Sequence, residues 1–305
     1  MGSDCVVRLV VANDRAEPIL DRVVEKMTEL EQRWSRFIAD SELSQLNDHS
    51  GAPVFVSPET FAIVSLAVDA WRATGGRFDP TLLDALRGSG YDETFDELAA
   101  RAPAVVVEPT SIPGGLNSVD LDARTFLIQT PSGLHFDLGG IGKGYAADCL
   151  FTQVTEDGVN GACLDFGGDV RVGGATAEGG GWPIVIDDPF HPGEDLAVLG
   201  LGEGAVTTSS RLRRKWSTTS GEAHHLLDPA TARPSESGLA AVTVIAAHAA
   251  WGEVHAKAAL IAGANEGAAL IENAGLSALL VTDAGEALPV GQFEAFRIEG
   301  PTLER

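Results

Sequence analysis

One glycine-rich segment constrains this chain more than any other. Residues 137–148 read DLGGIGKGYAAD, and four of the first eight are Gly139, Gly140, Gly142 and Gly144. Glycine allows backbone conformations and close contacts that a Cβ atom would prevent. Alternating apolar residues before the segment predict a strand over 134–136, and the residues after it predict a helix from about 145 to 154. The segment is therefore expected to connect a strand to a helix by a tight turn.

Two interpretations of this turn stay open from its residues alone. A helix start presents N–H groups and the positive end of the helix dipole, which favour an anion such as phosphate. Lys143 adds a positive charge there. The segment is neither a Walker motif, because no Ser or Thr follows the lysine, nor the dinucleotide fingerprint, which has another spacing. It is either a phosphate-binding turn or a plain connection with a surface lysine.

Composition narrows the classes of function. The chain has 305 residues, 44% of them hydrophobic, and a formal charge of −23. Such an acidic chain is not expected to bind nucleic acid or an anionic membrane. No apolar run approaches the roughly 20 residues of a membrane span. Because no signal peptide is visible in the sequence, a cytoplasmic location is expected.

The order of helical and strand patterns predicts the fold class. Strands and helices are mixed without regular βαβ alternation, which is typical of an α+β protein with a mixed, largely antiparallel sheet packed by helices. A single domain over 1–305 is expected. The predicted helices are 17–37, one that begins at 58 and stops at Gly75, 92–101, 249–262 and 265–274. The predicted strands are 5–12, 104–107, 118–121, 125–129, 134–136, 162–165, 170–173, 183–186, 196–201, 205–208, 241–246 and 278–282.

Two short polar segments carry weaker signals. Asp79 and Thr81 flank a proline after a Gly-Gly helix stop, which by itself is an ordinary turn pattern. Gly168 and Asp169 follow another glycine, a pattern typical of a β-bulge or of a site where the backbone approaches a ligand closely.

Two further segments offer hydroxyl and imidazole groups. Thr208 and Ser209 precede the basic residues 211–215, so this segment is either a phosphate-binding loop or a solvated basic loop. His225 is predicted to lie on a strand near Asp228. Its imidazole is either a general base near neutral pH or a structural group.

Taken together and in order, six segments resemble the ApbE family of flavin transferases. The resemblance covers most of the chain, from residue 1 to about 263. The matching segments are 41–47 (SELSQLN), 76–81 (GRFDPT), 137–148 (DLGGIGKGYAAD), 166–172 (FGGDVRV), 206–209 (VTTS) and 225–229 (HLLDP).

The resemblance implies an ApbE-like, T-fold-like domain with the activity of an FAD:protein FMN transferase. Such an enzyme binds FAD and Mg²⁺ and moves FMN onto a Thr or Ser hydroxyl of an acceptor flavoprotein, with AMP leaving. By motif position the resemblance implies His225 as the base and Asp228 as its orienting partner. The implied metal-binding residues are Gly142 and Glu253. The implied FAD contacts are Asp79, Thr81, Asp137, Gly139, Gly140, Lys143, Tyr145, Gly168, Asp169, Thr208, Ser209 and Lys257.

The chain departs from the family pattern at the implied metal site. Glu253 and Lys257 stand where family members have an Asp and a Thr that help to bind the metal. Because a protonated lysine cannot ligate Mg²⁺, metal binding is expected to be weakened or replaced by Lys257. Two alternatives to transfer are an FAD pyrophosphatase that releases FMN and AMP, and a non-catalytic FAD-binding protein with a degenerate metal site.

Overall fold

The structure, a computed structural model, describes residues 4–100, 102–107, 115–219 and 221–299. The helices found there are α1 (Asn13–Trp34), α2 (Glu42–Asp48), α3 (Pro58–Ala73), α4 (Leu83–Gly88), α5 (Phe95–Ala100), α6 (Gly142–Glu156), α7 (Ala249–Ala262), α8 (Ala264–Asn273) and α9 (Phe293–Phe296), with a 3₁₀ turn at Leu116–Ser118. The strands are β1 (Cys5–Val10), β2 (Pro53–Phe55), β3 (Asp120–Asp122), β4 (Leu127–Gln129), β5 (Gly161–Phe166), β6 (Val170–Gly174), β7 (Trp182–Asp187), β8 (Asp195–Leu201), β9 (Gly204–Ser210), β10 (Lys215–Thr218), β11 (Gly221–His224), β12 (Leu227–Asp228), β13 (Arg233–Pro234), β14 (Leu239–Ala246), β15 (Ser277–Thr282) and β16 (Ala287–Val290).

The chain forms two compact units that interleave in sequence. Within the described residues, the first unit comprises 28–100, 102–107, 115–142, 211–219 and 221–236. The second comprises 4–27, 143–210 and 237–299.

The second unit is built on a seven-stranded sheet in the order β1-β5-β6-β9-β14-β15-β16. Every neighbouring pair in this sheet is antiparallel. Strand β14, the fifth of the seven, is buried along its whole length, as its run of apolar residues requires. A separate two-stranded sheet pairs β7 with β8, whose inward side chains share an apolar core with Phe293.

Helix α7 packs on β9 and β14 with very little space between helix and sheet. A Cβ atom at Gly252 would lie 2.7 Å from the Thr207 hydroxyl oxygen, so only glycine fits at that position. The many alanines of α7 serve the same close packing, since a small side chain lets two backbones approach. This close contact fixes the side chains that α7 presents at its start.

The first unit consists of short elements. Helices α2 and α3 are preceded by the N-cap residues Ser41 and Ser57, whose hydroxyls accept the N–H groups of Ser44 and Thr60. One small sheet has the order β2-β4-β3, and two hairpins pair β10 with β11 and β12 with β13. A core cluster around Trp216 joins α4, α5 and the hairpin strands.

The α+β class and the largely antiparallel sheet are confirmed, while the single-domain assignment stays a prediction. The helix predicted over 249–262 is confirmed at both ends. No helix in the described part of the chain is long and apolar enough to cross a membrane. The expected strand at 104–107 is wrong, because Ala104 makes only an isolated bridge with Thr218.

The expected strand at 134–136 is also wrong, for a physical reason. The amide of Asn47 takes the place of a neighbouring strand: its oxygen accepts the Phe136 N–H at 2.7 Å, and its nitrogen donates to the Phe136 carbonyl at 2.9 Å. Residues 134–136 therefore have the alternating burial of a strand without a strand partner. The Asn47 side chain, distant in sequence, thus makes the two backbone hydrogen bonds of Phe136 that the pattern assigned to a neighbouring strand.

Candidate functional site

Asp137 holds the glycine turn of the first unit in shape. One carboxylate oxygen accepts the N–H of Gly139 at 2.6 Å, and the other lies 3.0 Å from Nε of Arg36. The backbone N–H of Asp137 donates to the carbonyl of Pro80 at 2.7 Å. A Cβ atom at Gly139 would lie 2.8 Å from the Asp137 carboxylate, so the turn requires glycine there. Asp137, predicted as an FAD contact, has a structural role of its own.

Arg36 is a residue of this turn that the sequence patterns missed. Its guanidinium lies over the rings of Phe37 and Tyr91, 4.2 and 4.6 Å from their centroids. The ring of Tyr91 lies 5.3 Å from that of Trp216. The arginine is almost fully buried and is neutralised by Asp137. Its position between two aromatic residues in the sequence was the only available signal.

In the second unit, α6 begins three residues earlier than predicted, so that Lys143 lies in its first turn. A Cβ atom at Gly144 would lie 2.5 Å from the carbonyl oxygen of Ala249, so glycine is required where α6 meets α7. The N–H of Gly144 donates to Oε2 of Glu253 at 2.9 Å. The start of α6 does bind an anion, but in this structure that anion is a carboxylate of the chain itself.

Four charged side chains surround this contact, and we call them the four-charge cluster: Lys143, Asp169, Glu253 and Lys257. The ammonium of Lys143 donates to Asp169 and, at 2.8 Å, to Oε1 of Glu253. The ammonium of Lys257 donates to the same Glu253 oxygen at 2.9 Å. The side chains of Glu253 and Asp169 are 1% and 3% exposed. Two cations and two carboxylates balance, which makes burial of the group tolerable.

The pKa values of the two carboxylates shift in opposite directions. Burial opposes ionisation of Glu253, but Lys143 and Lys257 outweigh it and lower its pKa to about 2. For Asp169, burial outweighs the attraction of Lys143 and the pKa is raised. Glu253 is thus the better neutralised carboxylate.

The two lysines differ in the same way. Burial disfavours the charged form of Lys143, but Asp169 and Glu253 outweigh it, so its pKa is raised. Burial dominates for Lys257 and lowers its pKa, because Glu253 is shared with Lys143. Lys143 is therefore the more firmly charged of the two.

Asp169 enters the cluster from a two-residue hairpin turn between β5 and β6. Gly167 and Gly168 have φ values of +69° and +92°, and the Phe166 N–H donates to the Asp169 carbonyl at 3.0 Å. Positive φ at both central residues is typical of a type I′ turn. The segment is therefore a hairpin turn, which explains both glycines without a bulge. One oxygen of Asp169, Oδ1, is buried without a hydrogen-bond partner among the described residues.

Asp148 of α6 caps the first turn of α7 from outside that helix. Its two carboxylate oxygens accept the N–H groups of Ala249 and Ala250, each at 2.9 Å. The guanidinium of Arg171 lies 3.3 Å from the same carboxylate and over the ring of Phe151. Burial raises the pKa of Asp148. With Gly144, Asp148 fixes α7 against α6 and so positions Glu253 and Lys257.

The hydroxyl residues of β9 lie on the central part of the same sheet. Thr208 faces Thr243 of β14, and their hydroxyl oxygens are 2.9 Å apart. Ser209 is buried, whereas Thr208 is exposed. The buried hydroxyl oxygen of Thr207 lies against Gly252. The predicted role of Thr208 and Ser209 as FAD contacts stays a prediction.

The remaining predicted residues of the first unit lie in turns. Asp79 accepts the N–H and the hydroxyl of Thr81 at 2.8 and 2.5 Å, and burial raises the pKa of its carboxyl. His225 is half-buried in the bend between β11 and β12, so its expected place on a strand is wrong. Asp228 accepts the N–H of Ala230 at 2.9 Å and shapes the turn that follows β12.

The structure also decides which neighbouring histidine is structural. His224 is buried; its Nε2 lies 3.1 Å from the Ser235 carbonyl, and its Nδ1 accepts the Leu226 N–H. Burial lowers the pKa of its imidazole. His225 therefore lies next to an imidazole whose neutral form is favoured by burial.

The site does not fit a divalent metal ion at Glu253. Oε1 of Glu253 accepts from two ammonium groups, and Oε2 accepts a backbone N–H. Within the residues placed by the structure, no group of three or more His, Cys, Asp or Glu side chains could hold a metal. A divalent ion beside Glu253 would lie close to two positive charges. The predicted metal-binding roles of Gly142 and Glu253 stay predictions without structural support.

Comparisons with known proteins agree with this fold. The sequence model of the ApbE family matches residues 1–280. The FAD:protein FMN transferase of Vibrio cholerae is 28% identical, over 87% of this chain and 79% of that protein. The FAD:protein FMN transferase of Escherichia coli K12 is 24% identical, over 93% of this chain and 83% of that protein.

Solved structures show the same architecture. The ApbE protein of Thermotoga maritima is 27% identical and superposes with a TM-score of 0.84, over 96% of each chain. The flavin transferase ApbE from Vibrio cholerae is 23% identical and superposes with a TM-score of 0.82, over 97% of this chain and 96% of that one. The second likeness is one of fold.

Proposed function

The chain belongs to the ApbE family, and we propose that it acts as an FAD:protein FMN transferase. The main support is that curated relatives with this name match 87% and 93% of its length. Its substrates are then FAD and an acceptor protein with an exposed threonine or serine. Acceptor and FAD would react to give the flavinylated protein and AMP.

The proposed reaction is a phosphoryl transfer at the diphosphate of FAD. The acceptor hydroxyl oxygen attacks the phosphorus on the FMN side and forms a new P–O bond. The bond from that phosphorus to the bridging oxygen breaks, and AMP leaves with that oxygen. The hydroxyl proton passes to a base. Catalysis then requires positive charge near the diphosphate and a base near the hydroxyl.

We assign the base to His225 and the binding of FAD to the residues implied by the family pattern. A neutral imidazole accepts a proton near neutral pH, and His225 is half-buried in a bend that leaves part of it accessible. Asp228 supports this role indirectly, because it shapes the turn that follows β12. Asp79, Thr81 and the glycine turn at Asp137 are assigned to FAD binding.

The positive charge near the diphosphate is assigned to the lysines of the four-charge cluster in the second unit. Lys143 and Lys257 both lie at the junction of α6 and α7. Magnesium is the ion that the family resemblance implies, but the hydrogen bonds of Glu253 do not fit it. No step of this mechanism uses a metal. The hydrogen bonds of Glu253 favour lysine over a metal ion as the positive group at this site.

The test is to incubate the protein with FAD and a peptide or protein that exposes a threonine, and to read the products by mass spectrometry. Transfer is expected to add the mass of FMN to the acceptor. The variant His225→Ala should abolish this product. The matched control is His191→Ala, which changes an exposed histidine that bonds only locally with Asp188.

Each other outcome rejects the proposal in favour of a named alternative. Release of FMN and AMP without an acceptor would indicate a pyrophosphatase in which water replaces the hydroxyl. FAD bound but unchanged would indicate a non-catalytic binding protein. Equal transfer by His225→Ala and the unmodified chain would reject His225 as the base.

A further inference from the structure

The two lysines of the four-charge cluster differ in how many of their donors are occupied. An ammonium has three N–H donors. Lys143 donates to two carboxylates, those of Asp169 and Glu253. Lys257 donates to one, and that Glu253 oxygen is already shared with Lys143. Within the described residues Lys257 therefore keeps two donors without a hydrogen-bond acceptor, and Lys143 keeps one.

The two unused donors of Lys257 lie where a ligand can reach them. Its side chain is 13% exposed, close to the 16% of Lys143, whereas that of Glu253 is 1% exposed. The ammonium is therefore largely removed from water but still reachable. A buried cation with unused donors is costly unless a further acceptor approaches. An oxygen-rich anion would supply it.

The geometry also indicates that the cluster can bind a phosphate without a divalent cation between the protein and the phosphate. The cluster already holds two positive charges within hydrogen-bond distance of one carboxylate oxygen. A divalent ion beside Glu253 would lie close to both ammonium groups, whereas a phosphate oxygen can accept the unused N–H donors of Lys257. Lys143 is retained by its two carboxylates and acts within the protein.

We infer that Lys257, and not Lys143, donates to the diphosphate of FAD, so that this chain binds FAD as the free anion without a divalent ion. The inference rests on the proposed function for the identity of the ligand. Its division of roles between the two lysines rests on their hydrogen bonds. Lys257 then determines that the site accepts the free FAD anion and not FAD bound to a divalent ion.

The test measures FAD binding alone, by flavin fluorescence titration in EDTA and again in excess Mg²⁺. The unmodified chain should bind FAD with the same affinity in both. Lys257→Gln should weaken binding in EDTA by about tenfold or more, the value of a hydrogen bond to a charged group. Lys257→Arg should retain most of the affinity, because it keeps the charge. Arg72→Gln, which removes an exposed cation paired with Asp69, is the control.

Two results would overturn the inference. One is binding by the unmodified chain that requires Mg²⁺. The other is affinity for FAD in EDTA that is unchanged in Lys257→Gln. Circular dichroism of each variant separates loss of binding from loss of fold. Because binding is read without an acceptor, FAD bound in EDTA but never transferred would reject the proposed transfer while leaving this inference intact.

Discussion

The ammonium nitrogen of Lys143 lies 2.8 Å from Oε1 of Glu253, although the two residues are 110 positions apart in the sequence. This bond joins the first turn of α6 to α7 and is reinforced by the backbone N–H of Gly144 on the other oxygen of Glu253. The helix start that resembles a phosphate site thus contains a permanent internal anion. The positive charge for a ligand has to come from a neighbour.

Lys143→Met is expected to destabilise the protein strongly. It leaves Asp169 without its hydrogen-bonded ammonium and Glu253 with only Lys257, so the free energy of unfolding should fall by about 3 kcal/mol or more. Urea denaturation followed by circular dichroism measures this. Lys215→Met, which breaks a more exposed pair with Glu222, should cost less than about 1 kcal/mol. Equal effects of the two substitutions would contradict the buried-cluster description.

Gly144→Ala is expected to separate α6 from α7. The added Cβ would lie 2.5 Å from the Ala249 carbonyl oxygen and 2.7 Å from the Ala250 nitrogen, so one backbone has to move. Overpacking of this kind costs about 1–3 kcal/mol. Gly142→Ala is the matched control, since its Cβ would meet nothing within 4 Å. The idea fails if thermal melting shows both variants to be equally stable.

Arg36→Lys is expected to loosen the glycine turn of the first unit. A lysine keeps the charge but cannot lie flat over Phe37 and Tyr91 while bonding to Asp137. Affinity for FAD should fall, because the turn at Asp137 is assigned to its binding. Fluorescence titration measures this, with Arg72→Lys as the control at an exposed pair. Unchanged affinity would show that the turn keeps its shape without the stacked guanidinium.

His224 gives an expected dependence of stability on pH. Burial lowers the pKa of its imidazole in the folded state, so the unfolded chain takes up the proton first as pH falls below about 6.5. The stability contributed by neutral His224 is therefore complete above that pH and is lost as pH falls through the window below it. Unfolding free energies measured between pH 7 and 5 should decline.

His224→Gln should reduce that decline, although buried His255 contributes in the same direction. His191 provides the opposite case. Its bond to Asp188 raises the pKa of the exposed imidazole, so its small contribution is present at low pH and is lost as pH rises. His191→Gln should therefore leave the acid decline in place. A decline of the same size in His224→Gln would show that His224 is not its source.

The sequence by itself determined the features that local residues encode. Ser57 and Pro58 marked the start of α3, and the small-residue pattern of 249–262 gave α7 at both ends. Helix caps and hydrophobic periodicity act within one or two turns, so they can be recognised from the sequence without knowledge of the rest of the fold. Six polar segments in order also sufficed for the family resemblance.

The tertiary structure decided how distant groups pair. Asn47 bonds to the backbone of Phe136, where a neighbouring strand was expected. His225 lies in the bend between β11 and β12 and not on the predicted strand. The sequence placed Glu253 and Lys257 on one face of a helix, but only the packing of α6 on α7 brought Lys143 to the same carboxylate. Burial, hydrogen-bond partners and charge balance are non-local properties, and they give Lys143 two carboxylate partners and Lys257 one.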